Sequence, residues 1–265
     1  MPVLPTIRAG DTATLPSDRG GVVLRPTDPR YRYLSARRYN TRFTCRPESI
    51  HQVYSTADVA AVVEHAVADD AELRVRSGGH CIEDLSGGPA AYRMIDTSPM
   101  RSVGFDDERR AFVVDAGTRL GELYQQLYLG WGVTVPGGTC PTVAVGGHVP
   151  AGAFGALCRR HGLVTDHLHA VEVVTVDATG EVRTVVATDD PADPHHDLWW
   201  AHAGGGGGTF GIATRFWFRS PDTDGHDPTR ALPRPPDAVL TSTVDWPWEQ
   251  LGEADFLRLI DNHGR

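Results

Sequence analysis

The chain contains no lysine: all 25 of its cationic residues are arginine, set against 34 Asp and Glu, for a formal net charge of −9. Without that amine there is no Walker-type phosphate loop, no pyridoxal Schiff base and no lysine aldolase, since each needs it as point charge or nucleophile. The acidic balance argues against general binding to nucleic acid. No apolar run approaches the roughly 18–20 residues that span a bilayer, and Met1-Pro2-Val3-Leu4-Pro5 is not a basic patch followed by an apolar core. The default reading is a soluble, cytoplasmic chain with no membrane partner. Cys45, Cys81, Cys140 and Cys158 form no C-x-x-C pair and no short ligand spacing, which argues against structural zinc and leaves two disulfides open. His195, His196 and His202 beside Asp193 and Asp197 are the nearest approach to a metal cluster and read as solvated loop histidines, so no metal is expected.

What is abundant is glycine and proline, 29 and 19 of 265 residues, a length that corresponds to about two domains. Residues 1–39 lack sustained periodicity and read as an extended N-terminal arm. From Ile50 the pattern sharpens. It predicts a strand over 52–55, a helix from Thr56 to about Ala68 with Val59, Val62, Val63 and Val67 on one face, and a buried strand over 73–75. That is a βαβ unit, whose parallel strands leave a ligand crevice at their carboxyl ends. Strands over 93–96 and 111–116 follow, then a helix over 120–129 with Leu120, Leu123, Tyr124 and Leu127 inward; Tyr128 also reads as core. Residues 171–177 and 181–186 flank a glycine-bearing turn as a hairpin, and 212–218 alternate as a strand. The fold class is therefore α+β, one parallel α/β piece and one piece with antiparallel strands, over residues 40–220. Residues 221–238 read as a proline-rich linker, and 239–265 as one strand (239–244) and one helix (253–262), too little to enclose a core alone.

Three segments carry chemistry. Arg76-Ser77-Gly78-Gly79-His80-Cys81 follows a strand directly; its glycines can aim backbone N–H groups at a phosphate, with Arg76 and Ser77 as added donors, or simply make a tight turn with a surface histidine. Residues 136–155 include Thr139, Cys140, Val145, Gly146, Gly147, His148, Gly152 and Gly155, and this much glycine suits backbone lying against a flat ligand. Cys45 and Cys158 read as small inert hydrophobes. In the third segment, 197–214, Gly206, Gly208 and Gly211 formally satisfy G-x-G-x-x-G, but a helix precedes the glycines and a strand follows, the reverse of a nicotinamide site. Loop flexibility is the other reading of that run.

In this order the three segments resemble the flavoprotein oxidases of the vanillyl-alcohol oxidase and p-cresol methylhydroxylase type, in the berberine-bridge-like and oligosaccharide/hexose oxidase branch. The resemblance implies one FAD carried by two covalent bonds, from His80, which closes R-S-G-G-H, to the 8α-methyl, and from Cys140, in G-G-T-C-P, to carbon 6. It implies that Gly78 and Gly79 face the pyrophosphate and that Gly146 and Gly147 let the backbone approach the flavin, with Gly211 and Ile212 in the third signature. Hydride would pass to flavin N5 and molecular oxygen would reoxidise the ring, giving hydrogen peroxide.

Residues 131–140 and the Asp197 stretch look most like actinomycete enzymes of natural-product tailoring, so the implied substrate is a sugar hydroxyl on a glycosylated antibiotic. The alternatives are a dehydrogenase or oxidase of a non-sugar alcohol, or a catalytically silent flavin-binding module. The family's substrate domain and its tyrosine base, often in Y-x-N, have no counterpart in these 265 residues, so the catalytic base is unassigned. The chain reads as the cofactor half plus the opening of an incomplete substrate domain. Phe154 stands where related sequences often carry tyrosine; a phenyl ring cannot relay a proton and reads as packing.

Overall fold

Residues 21–39, expected as the end of an extended arm, join the folded body instead. In the computed structural model, which describes residues 21–88 and 91–263, Val22–Leu24 (β1) pairs antiparallel with Ser49–Gln52 (β2). The helix Tyr31–Ala36 (α1) follows β1, and Leu24 and Leu34 are buried against Ile50, Tyr92 and Met94. Residues 1–20 of the expected arm lie outside the described residues. The strand expected over 52–55 lies three residues earlier, as β2, because Ser55 serves as the helix cap. The next helix, Thr56–Ala68 (α2), is closed by a capping box: Ser55 Oγ accepts from the Asp58 N–H and the Asp58 carboxylate accepts from the Ser55 N–H. Val59, Val62, Val63 and Ala66 are buried, whereas Val67 lies at the flank of this stripe and is exposed.

Leu73–Arg76 (β3) and Arg93–Asp96 (β4) complete the first sheet in the order β1-β2-β4-β3, with β2 and β3 both parallel to β4. The β2-α2-β3 unit is thus a crossover with a third strand inserted between its strands. Its carboxyl edge carries Ser77 and Thr97, whose hydroxyls lie 2.7 Å apart.

The second sheet is wholly antiparallel. Val103–Asp106 (β5) and Ala111–Asp115 (β6) form a hairpin; β5 escaped sequence reading because Gly104 and the acidic residues beside it mimic a turn. Leu120–Trp131 (α3) buries Leu120, Leu123 and Leu127 and ends at Gly132 with φ +70°. Tyr124 is half-buried, but Tyr128, expected in the core, lies on the flank of the apolar stripe and is exposed. Single helical turns follow at Val145–His148 (α4) and Cys158–His161 (α5). Leu168–Val176 (β7), Val182–Thr188 (β8), the helix His196–His202 (α6) and Ile212–Phe218 (β9) finish the sheet, in the order β5-β6-β9-β7-β8. One apolar cluster joins the layers, because Val59, Val62 and Val63 of α2 pack with Ile95 of the first sheet and Val174 of the second.

The chain divides into two units, Met1–Pro235 and Pro236–Arg265. Residues 221–235, read as linker, lie in the first unit: Ala231 and Leu232 are buried in its main core, and Pro233 O accepts from the Thr134 N–H. In the second unit the helix Glu253–His263 (α7) forms as expected, and Trp248 packs on Phe256 at 5.6 Å between ring centroids. No strand forms over 239–244; Val239, Leu240 and Val244 are exposed, without the partner that a strand needs.

Candidate functional site

The three glycine-rich segments meet at one cleft of about 660 Å3, within the roughly 300–1,000 Å3 of small-molecule sites. From the first segment it is lined by residues 76–81, from the second by Gly146, Gly147 and His148, and from the third by Gly207, Gly208, Gly211 and Ile212. A bond from the Gly206 N–H to Pro150 O (2.8 Å) ties the third segment to the second.

Where the first two segments cross, a Cβ on Gly78 would fall 2.6 Å from the Ala144 amide nitrogen, and one on Gly146 would fall 2.7 Å from Ser77 Oγ. These glycines are therefore needed by the contact between loops, with or without a ligand. Gly79 adopts φ +79° with its Cβ direction against Arg37 O, again a protein contact. Gly147 is different: it lines the cleft and nothing lies within 4 Å of its Cβ direction.

Arg76 does not have a free guanidinium to offer a phosphate. Its side chain is 1% exposed and bonds to both Leu34 O (2.6 Å) and Asp96 (2.9 Å), the last residue of β4. Asp96 is also held by Arg37 at 3.0 Å, so this buried cluster braces the turn that His80 closes. Ser77 Oγ is paired with Thr97 Oγ1, and Cys81 Sγ accepts from the Leu85 N–H.

His80 is fixed from two sides. Its ring stacks on Tyr39, with centroids 4.8 Å apart and planes at 20°, and its Nε2 lies 2.8 Å from Thr142 Oγ1. Partial burial, with the Arg119 guanidinium adding to it, moves its pKa below the ordinary imidazole value. Cys140 Sγ lies 3.5 Å from the same Thr142 hydroxyl. That hydroxyl, then the backbone N–H groups of Thr142 and Val143, hold the thiol pKa below its ordinary value. His80 and Cys140 are thus brought to one hydroxyl group although neither is near the other in sequence. Thr142 and Tyr39 carry no local signal that sequence reading could have used.

The loop bearing Cys140 is held along its length. The Gly121 N–H bonds to Pro141 O (3.0 Å), the Leu120 N–H to Val143 O (2.9 Å) and the Gly146 N–H to Ala116 O (2.7 Å). Tyr124 donates its hydroxyl to Gly138 O (2.7 Å), while His148 Nε2 accepts from the Gly138 N–H (3.0 Å). That bond requires an unprotonated Nε2, and burial pushes the His148 pKa down accordingly. Val145 is buried in the core, Gly152 adopts φ +94°, and Gly155 packs against Gly137 O with no room for a Cβ. Thr139 lines a separate apolar hollow of about 590 Å3 with Tyr124, Tyr128 and Leu129.

Phe154, expected to pack, is 77% exposed because its neighbour Ala153 takes the inward position. All four cysteines are free. His202, read as a loop histidine, is buried on α6 with Nδ1 bonded to Leu198 O, and it lines the cleft. No helix among the described residues is long and apolar enough to cross a membrane.

Residues 47–185 match the FAD binding domain family. The aclacinomycin-N/aclacinomycin-A oxidase of Streptomyces galilaeus is 52% identical over 237 residues, which is 89% of this chain and 44% of the relative. The hexose oxidase of Chondrus crispus is 33% identical over 89% of this chain and 43% of its own length. Among solved structures, the glycopeptide hexose oxidase DBV29 complexed with teicoplanin superposes with a TM-score of 0.89 at 49% identity, covering 93% of this chain and 49% of that one. The chain thus spans a little under half the length of the curated relatives it matches. A cleft lined by three glycine-rich segments and the match across most of the described body lead to one conclusion: the chain belongs to the FAD binding domain family, beside the aclacinomycin, hexose and berberine-bridge-like flavoproteins.

Proposed function

We propose that this chain is the cofactor-carrying part of an FAD-dependent oxidase that acts on a sugar alcohol group of a glycosylated natural product, and that it holds FAD through both His80 and Cys140. The observation that carries the reading is the convergence of the two side chains on Thr142 Oγ1, at 2.8 Å and 3.5 Å. The donor set fits the group: a thiol with a depressed pKa, an imidazole of fixed orientation, and a cleft onto which Gly147 opens without obstruction. Bound FAD would supply a two-electron acceptor for hydride from a carbinol carbon, with molecular oxygen as final acceptor and hydrogen peroxide as product.

Cys140 would contribute sulfur and His80 a ring nitrogen to the two attachments. Each attachment would be an oxidation in which the side chain loses its proton and the carbon it joins loses a hydrogen, and the two electrons released per attachment would pass to molecular oxygen, giving one hydrogen peroxide for each bond formed. Nε2 of His80 is engaged by Thr142, while Nδ1 has no hydrogen-bond partner among the described residues. The buried Arg76–Asp96–Arg37 cluster braces the loop that carries His80, and the bonds of Gly138 to Tyr124 and His148 brace the loop that carries Cys140. The substrate class is supported by relatives whose names specify hexose or glycopeptide oxidation and by the teicoplanin complex.

Flavin absorbance and intact mass after denaturation test the reading on wild type, His80→Ala, Cys140→Ala and the double variant. One FAD retained by wild type and by each single variant, and lost from the double variant, is expected. Release of FAD from denatured wild type would overturn the covalent assignment.

A further inference from the structure

We propose that Thr142 is a positioning residue shared by both attachment residues: its hydroxyl accepts from His80 Nε2–H and donates to Cys140 Sγ, so that one side chain prepares two nucleophiles. This rests on the reading that His80 and Cys140 hold FAD. A hydroxyl carries one donor and two acceptor sites, so both bonds can exist at once. Their directions follow from the chemistry. Donation to sulfur stabilises the thiolate, whose electron pair forms the new bond to carbon. Acceptance from Nε2–H selects the imidazole tautomer whose other nitrogen keeps its lone pair.

The geometry is specific to this position. Thr142 is 62 residues from His80 yet bonds it at 2.8 Å, while the two bonds from Gly121 and Leu120 to Pro141 O and Val143 O fix the peptides on either side of it. The Thr142 hydroxyl is also the foremost contributor to the depressed Cys140 pKa, ahead of the Thr142 and Val143 N–H groups, and no charged group contributes there. On His80 burial comes first and Arg119 is the charged contributor, while Tyr39 stacks on its ring. Since the Thr142 side chain is exposed, its replacement should leave the fold intact.

The test compares wild type with Thr142→Ser, Thr142→Val and Thr142→Ala, with far-UV circular dichroism confirming the fold. After denaturation, iodoacetamide labels Cys140 only where its sulfur is not joined to flavin, and peptide mass spectrometry scores Cys140 and the His80 peptide separately. Wild type and Thr142→Ser should leave Cys140 at least tenfold less labelled than Thr142→Val and Thr142→Ala. In chain produced under riboflavin starvation, the pH profile of Cys140 alkylation should lie at higher pH in the valine and alanine variants than in wild type and serine. Blocked Cys140 and an unmoved profile in both apolar variants would overturn the role of Thr142 while leaving the attachment reading intact. FAD released from denatured wild type would overturn both.

Discussion

Gly78 and Gly147 are both glycines of the cleft, yet they are small for different reasons, and substitution separates the two. A Cβ on Gly78 meets the Ala144 backbone nitrogen at 2.6 Å, so Gly78→Ala should force the crossing loops apart and destabilise the fold by about 1–3 kcal/mol in urea unfolding. Gly147 has nothing within 4 Å, so Gly147→Ala should leave the stability of flavin-free protein within about 0.5 kcal/mol while lowering FAD loading. Equal effects of the two on stability would show that the crossing is not the reason for Gly78. At this scale His80 and Cys140 could be singled out as candidates because few side chains can bond covalently to a flavin carbon. The use of Arg76 was not: the same residue serves a phosphate or a buried carboxylate, and Asp96, twenty residues on, decides for the carboxylate.

Among the elements, α2 shows how a boundary is set by hydrogen bonds rather than by hydrophobic pattern. Its cap is Ser55, with Asp58 returning the bond, so Ser55→Ala should cost about 1 kcal/mol of unfolding free energy, read as a lower urea midpoint at unchanged slope. A variant as stable as wild type would remove the capping box from the account of α2. Apolar spacing located α2, α3 and β9, whose buried stripes are local periodicities. It misplaced the strand before α2 by three residues and predicted one over 239–244, since a strand exists only where a neighbour offers it bonds.

For the molecule as a whole, burial lowers the pKa of several histidines in different parts of the fold, and this sets its acid sensitivity. Burial, followed by the nearby Arg93, Arg25 and His65, lowers the His51 pKa from 6.5 to about 4. Between those values the unfolded chain binds a proton that the folded chain does not. The stabilisation is therefore complete above pH 6.5 and is lost as pH falls through 6.5 toward 4. Burial moves His80, His148 and His202 in the same direction. The melting temperature should fall between pH 7 and 5, and His51→Gln should flatten that fall by an amount on the order of 1 kcal/mol, given the partial exposure of the ring. An identical pH dependence in the variant would remove His51 from the explanation.

Taken alone, the sequence was enough to determine the mixed α and β character, the order of the three glycine-rich segments, the absence of lysine chemistry, and the presence of an imidazole and a thiol in two of those segments. Each of these is a property of residue type or of spacing within a few residues. Only the tertiary structure decided that β4 inserts between β2 and β3, that residues 21–39 and 221–235 belong to the body, and that Arg76 is withdrawn into a buried ion pair. It also decided that His80 and Cys140 share Thr142. Those outcomes depend on contacts between segments tens of residues apart, where the competing partners for one side chain are set by packing and burial, and a linear pattern has no record of which partner prevails.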